Sequence, residues 1–194
     1  MRLGAIAEGV SSCTACGLCE TRTRAVPGSG SGGAALVLVG EAPGRSEDLR
    51  GEPFVGAAGR ILDGALGRAG VARGDVYITN VVKCRPPGNR VPTGAERDAC
   101  RAHLEAELAE IGPEIICVMG NTALGSLLGE SGITKLRGRV ARVGGRVFMA
   151  TVHPAAVIYN PSLAGALDED IARAARLAAA ARGGAEVPVD IVRP

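Results

Sequence analysis

Ala35-Leu-Val-Leu-Val39 running into Gly40-Glu-Ala-Pro-Gly44 decides the fold class. A short, unbroken apolar run is long enough for a strand buried on both faces, and the glycine–proline composition after it ends the strand in a turn. The pattern repeats along the chain. Gly59 to Leu66 carries Ile61, Leu62 and Leu66 at helical spacing, and Val76 to Thr79 is a second strand. Lys83-Cys-Arg-Pro-Pro-Gly-Asn-Arg-Val-Pro92 is a loop. Thr93-Gly-Ala-Glu96 is a capping box and predicts a helix over 94–111. Glu114 to Met119 is a third strand, and Gly120-Asn-Thr-Ala123 opens a short helix ending near Gly129. Arg139 to Ala150 reads as strand, turn at Gly144-Gly145, strand, and His153-Pro-Ala-Ala opens a loop. Ser162 or a neighbour caps a last helix to about Ala181, and the tail from Gly183 is expected to be ordered only by docking. Strands alternating with helices predict an α/β fold with a mostly parallel sheet, in which the loops at Gly40, Asn80 and His153 meet in one crevice.

Before that frame, residues 1–33 show little periodicity and end in Pro27-Gly-Ser-Gly-Ser-Gly-Gly33, read as a cysteine-bearing lead-in and a flexible joint. The whole chain, 1–194, is expected to form one domain. With no Trp, two Tyr and two Phe, its core must be aliphatic. A formal charge of +2 excludes a highly basic tail protein but not a local basic footprint. No apolar run is long enough to span a membrane, and Met1 to Val10 is too short and too weakly charged for a secretory signal, so an intracellular protein is expected.

Six cysteines in a reducing compartment need an explanation other than disulfides. Cys13-x2-Cys16 opens a chelate, and Cys84 and Cys100 lie far downstream. Two such pairs complete a four-thiolate site that pins the lead-in to the domain. Spacing alone leaves zinc and iron–sulfur open, and Cys19 is the nearest rival ligand. Cys117, inside an apolar strand, reads as core.

The Gly40 turn lacks both GxxxxGK[ST] and GxGxxG, which argues against a nucleotide site. Glu41, Glu47 and Asp48 put carboxylates near it. Phe54, in Gly51-Glu-Pro-Phe-Val-Gly56, is a stacking platform or a plug against the core. Asn80 is a recognition amide or the cap of a strand end, and His153 a catalytic or a structural imidazole. From Ser131 to Thr151 there are five bases (Lys135, Arg137, Arg139, Arg142 and Arg146) and no acid, a phosphate-contacting edge or a solvated face. Arg85 and Arg90 are further candidates.

Taken together, Cys13-Thr-Ala-Cys16-Gly-Leu-Cys19, Gly40-Glu-Ala-Pro-Gly44 with Glu47-Asp48, Gly51-Glu-Pro-Phe-Val-Gly56, Thr79-Asn-Val-Val-Lys-Cys84-Arg-Pro-Pro, Cys100, Gly120-Asn-Thr-Ala and His153-Pro-Ala-Ala resemble, in order, the family 4 uracil-DNA glycosylases. The resemblance implies a three-layer αβα fold on a central four-stranded, mostly parallel sheet. It implies a structural [4Fe-4S] cluster on Cys13, Cys16, Cys84 and Cys100, with Cys19 spare. The implied activity is hydrolysis of the N-glycosidic bond of uracil in single- or double-stranded DNA, by a monomer in the cytoplasm of a prokaryotic cell. Phe54, Asn80, His153, Gly40 and Glu41 would bind uracil; His153, Glu41 and Glu47 would serve catalysis; Lys135, Arg137, Arg139, Tyr159 and Arg85 would hold DNA. Two departures stand out. Ala42 occupies the place where better-known glycosylases of the superfamily carry a water-handling Asp, and Tyr159 stands where family members often have arginine. The loop Ile133-Thr-Lys135-Leu-Arg137-Gly-Arg139 has no histidine, so covalent capture of the sugar is not expected. A noncatalytic damage-binding module on the same fold is the alternative.

Overall fold

The computed structural model describes residues 2–193. Among the described residues, seven strands form one sheet: β1 (Ser29–Gly30), β2 (Leu36–Gly40), β3 (Tyr77–Asn80), β4 (Ile115–Met119), β5 (Val140–Val143), β6 (Arg146–Thr151) and β7 (Ile191–Arg193). Their order is β1-β3-β2-β4-β6-β5-β7. The four central strands, β3-β2-β4-β6, are mutually parallel, as expected. The three outer strands extend that sheet: β1 is antiparallel to β3, β5 is antiparallel to β6, and β7, from the C-terminal tail, docks parallel to β5.

Alternation along the strands sorts the core into two layers. Val37 and Val39 of β2, Ile116 and Val118 of β4, and Phe148 and Ala150 of β6 face one side. There they meet α1 (Arg2–Ser12), α4 (Gly94–Ile111) and α5 (Asn121–Leu128) through residues such as Val10, Leu104 and Leu124. Leu36, Leu38, Ile115, Cys117 and Met149 face the other side. They pack on α3 (Ala57–Arg68), α7 (Pro154–Tyr159) and α8 (Ala164–Arg182) through Leu62, Leu66, Val157, Leu167 and Ile171. Two-sided burial is why β2 and β4 read as continuous apolar runs. Cys117 is core, as its strand context indicated.

The capping box is built as read: Thr93 Oγ1 accepts from Glu96 N, and Glu96 reaches back to Thr93 N. Gly112 closes α4 in a left-handed conformation. Several elements depart from the expectation. The lead-in holds α1, whose glycines Gly4 and Gly9 weaken the helical signal while Leu3 and Val10 pack against the core. The supposed joint contributes β1, held by pairing to Tyr77 and Ile78. The His153 loop carries α7, and the basic loop carries α6 (Ile133–Leu136). The last helix begins at Ala164 with no side-chain cap of its own, where Ser162 or a neighbour was expected to supply one; Asn160 caps the turn before it, accepting from Ser162 N.

Between β2 and α3, the short helix α2 (Arg45–Arg50) carries two buried carboxylates. Asp48 Oδ1 accepts from the backbone N–H groups of Thr23 and Arg24, tying the cysteine-bearing segment to the sheet.

Gly59, in the first turn of α3, lies against the Phe54 main chain. A Cβ there would sit 1.9 Å from the Phe54 carbonyl oxygen, whereas at Gly67 it would meet nothing within 4 Å. Gly59→Ala is expected to destabilise the protein by about 1–3 kcal/mol. Gly67→Ala is expected to be neutral or to stabilise it by up to about 1 kcal/mol. Denaturant midpoints of the two variants check both signs.

Candidate active site

Parallel register brings the strand ends to one edge. Gly40 lies opposite Asn80 at the ends of β2 and β3, and Met119 lies opposite Thr151 at the ends of β4 and β6. The crossover order places a switch point between β2 and β4, where an open α/β sheet forms its crevice. A cleft of about 600 Å³ opens there, and Glu41, Ala42, Phe54, Asn80, Asn121 and His153 are among the residues lining it.

Gly40 packs against two residues that line the cleft, Phe54 and Asn80. A Cβ on Gly40 would fall 2.5 Å from Phe54 Cζ and 2.6 Å from Asn80 Oδ1, so only glycine lets ring and amide close over the strand end. Phe54 itself holds φ at +52°, a left-handed value that a bulky residue adopts only when its surroundings enforce it. Here Glu47 enforces it. Its Oε1 accepts from Val55 N and Gly56 N at 2.9 and 2.7 Å, and its Oε2 accepts from Gly44 N at 3.1 Å. One buried carboxylate thus staples the Gly40 turn to the Phe54 turn. Sequence reading assigned Glu47 to catalysis; it lines the cleft, and its oxygens accept from three main-chain amides. Glu41 lines the cleft as well, its Oε2 accepting from the Thr122 hydroxyl.

His153 ends the segment after β6 and caps α7. Ala155 N donates to its Nδ1 at 3.1 Å, so the neutral ring carries its proton on Nε2. Burial, opposed by nearby Glu47, holds its pKa down at about 4, which keeps the imidazole neutral at physiological pH. Its ring centroid is 5.6 Å from that of Phe54, tilted by 32°. Among the described residues, His153 Nε2 and Asn80 Oδ1 are buried without a hydrogen-bond partner. Two orphaned polar atoms in one cleft are a costly arrangement unless a ligand satisfies them.

The proposed DNA contacts scatter. Tyr159 is 86% exposed and stands on the cleft rim. Val91, which sequence reading passed over, is 61% exposed on the same rim; its signal was an apolar residue in an otherwise polar loop. Lys135, Arg137, Arg139 and Arg85 do not line the cleft. Lys135 and Arg139 are exposed. Arg137 is spoken for, its Nε and Nη2 each 3.0 Å from an Asp170 oxygen, and Arg85 donates to Asn89. Arg146 pairs with Glu105. Counting charge along the chain could not show which arginines meet acids from distant helices. Asn121 accepts from Gly132 N and Ile133 N, which sets the start of α6, and with it Lys135, beside the cleft wall.

Cys13, Cys16, Cys84 and Cys100 line a second, small cavity, together with Cys19 and Lys83. Arg22 Nη1 lies 3.0 Å from Cys84 Sγ, and Lys83 N donates to Cys100 Sγ at 3.2 Å. Burial pushes the Cys100 thiol up to about 11 and raises that of Cys84, against these two donors. Among the described residues no group of three or more His, Cys, Asp or Glu is arranged to hold a single metal ion. Arg22 was invisible as a participant in the sequence, because only folding brings it to Cys84.

The family model for the uracil DNA glycosylase superfamily matches residues 27–176. The type-4 uracil-DNA glycosylase of Archaeoglobus fulgidus is 44% identical over 181 residues, 89% of this chain and 91% of that one. That of Sulfurisphaera tokodaii is 44% identical over 183 residues, 89% and 83% of the two chains. A type-5 uracil-DNA glycosylase from Thermus thermophilus is more distant, 38% identical over 128 residues and 58% of each chain. The superfamily match over residues 27–176 and identity of this extent over most of the chain place the protein among the type-4 members of the uracil-DNA glycosylase superfamily.

Proposed function

We infer that the protein hydrolyses the N-glycosidic bond of uracil in DNA, releasing the base and leaving an abasic site. The observation that carries this reading is the pair of orphaned polar atoms, Asn80 Oδ1 and His153 Nε2, beside Phe54. A base turned out of the helix stacks on the Phe54 ring. The Asn80 amide accepts from N3–H of uracil and donates to O4; cytosine presents the reversed pattern and leaves a buried group unpaired. As the glycosidic bond breaks, negative charge grows on the leaving base. His153 Nε2–H donates toward O2 as a neutral imidazole, in the tautomer fixed by Ala155 N. With Ala42 on the cleft wall and Glu47 bound to amides, Glu41 is the carboxylate placed to orient water. Tyr159 and Val91 on the rim suit the gap left in the base stack. Lys135 and Arg139 suit phosphates of a single or double strand met by one protein molecule.

The four cysteines fit a [4Fe-4S] cluster better than a single ion. They line a cavity rather than crowd a point, and the Lys83 amide and Arg22 guanidinium offset sulfur charge as donors do around such clusters. When bound, the cluster supplies structural cross-linking: it joins α1 and the segment after it to the loop after β3 and to α4.

Purified protein is expected to release uracil from single- and double-stranded oligonucleotides, detected as strand scission after alkali. Binding without free uracil would mark a noncatalytic module, and an intact strand with the cluster in place defeats the reading. His153→Ala is expected to slow release by about 10²–10³-fold while DNA affinity stays within a few-fold. Asn80→Asp is expected to erode preference for uracil over cytosine.

The cluster assignment predicts about four irons per chain and visible charge-transfer absorption. Cys84→Ala or Cys100→Ala is expected to lower iron content and melting temperature together. Bound zinc with no iron overturns the assignment.

Histidine burial sets a pH signature. The unfolded chain protonates this imidazole near 6.5, the folded protein only near 4. Its contribution to stability is therefore whole above pH 6.5 and lost as pH falls toward 4. The denaturant midpoint should drop more steeply across that window in the unsubstituted protein than in His153→Gln.

A further inference from the structure

Three residues past Asn80, Lys83 carries a buried ammonium that base recognition does not use directly. Its side chain and that of Glu107 are each 1% exposed. Lys83 Nζ donates to Glu107 Oε2 at 2.6 Å, to Thr79 Oγ1 at 2.5 Å and to the Asn80 carbonyl oxygen at 3.0 Å, so all three of its protons are used. Thr79 Oγ1 donates in turn to Glu107 Oε2 at 2.7 Å, and Gly28 N donates to Glu107 Oε1 at 2.8 Å. A buried ion pair is weak evidence for stability, because well-packed apolar side chains of similar volume often serve as well or better. A fully bonded pair set directly under the recognition amide therefore calls for another role.

The geometry supplies one. The Asn80 side chain is buried and packs over Gly40, but its Oδ1 has no hydrogen-bond partner, so no bond at that atom fixes which way the amide faces before a base arrives. Its orientation depends on the main chain below. Val81 N, the next amide, donates to Gly40 O at 3.0 Å, and the Asn80 carbonyl is gripped by Lys83 Nζ. Lys83 is itself anchored at its own amide to Cys100 Sγ. We propose that Lys83, held in place by Glu107 and Thr79, is a positioning residue for uracil recognition: it clamps the Asn80 peptide so that the amide presents one donor–acceptor order to the base. Releasing the clamp lets the amide turn, and the reversed order pairs with cytosine. This rests on the uracil-excising function inferred above.

The test uses the full chain in its iron-loaded form. Lys83→Met/Glu107→Gln removes both charges while leaving an amide to bond Gly28 and Thr79. It is expected to fold, with iron content unchanged. Its kcat on uracil should fall, inhibition by free uracil should weaken, each by about tenfold, and preference for uracil over cytosine should shrink. Affinity for a duplex containing an abasic site, which offers no base, should stay within about twofold. Thr79→Val removes only the hydroxyl that steadies Lys83 and serves if the paired variant does not fold; free-uracil inhibition is then expected to weaken by about threefold. A folded variant with unchanged kcat, uracil inhibition and base preference overturns the proposal, as does equal weakening toward uracil and the abasic duplex. If the unsubstituted protein releases no uracil, the functional reading itself fails; if it does and the variants match it, only the role of Lys83 falls.

Discussion

Four parallel strands end flush at one edge of the sheet, and the site depends on that register. Gly40 opposite Asn80 and Met119 opposite Thr151 bring residues from four distant stretches of chain within reach of one small ring. The close approach at Gly40 makes the arrangement exacting. Ring and amide occupy the volume a Cβ would need, so the strand end, Phe54 and Asn80 are one packing unit. Because β2 and β4 are buried on both faces, a slip in register would disturb both core layers at once.

Around this unit the protein spends buried charge on positioning. Glu47 braces two turns through three amides, Asp48 holds the cysteine-bearing segment at Thr23 and Arg24, and Glu107 holds Lys83. Each carboxylate replaces its lost hydration with hydrogen bonds, the condition under which a buried charge is tolerated. His153 meets the same constraint differently. Burial removes its proton affinity, and Ala155 occupies Nδ1, leaving a neutral donor at Nε2. A donor that stays neutral needs no counter-charge in the cleft.

Much of this framework was legible along the chain. The runs at 35–39 and 114–119 had to be buried strands, and Thr93 with Glu96 set the start of α4. Where reading fell short, the missing information was three-dimensional. α1 has modest helical propensity and is held by packing on the core beside α4. β1 exists because Tyr77 and Ile78 offer an edge to Ser29 and Gly30. The basic run at 135–146 looked like one surface, yet Asp170 and Glu105 remove Arg137 and Arg146 from it.

Local chemistry, then, was determined by the sequence: apolar runs dictate strands, a hydroxyl three residues before a carboxylate dictates a helix start, and an isolated Phe, Asn and His mark residues worth placing. Those signals act over a few residues and survive without the rest of the chain. Partnership was decided only by the tertiary structure. Whether Glu47 meets water or amides, whether Arg137 meets a phosphate or Asp170, and which nitrogen of His153 holds its proton all depend on groups far away in sequence. Burial decides such pairings, because a polar group removed from water must bond whatever the fold brings to it.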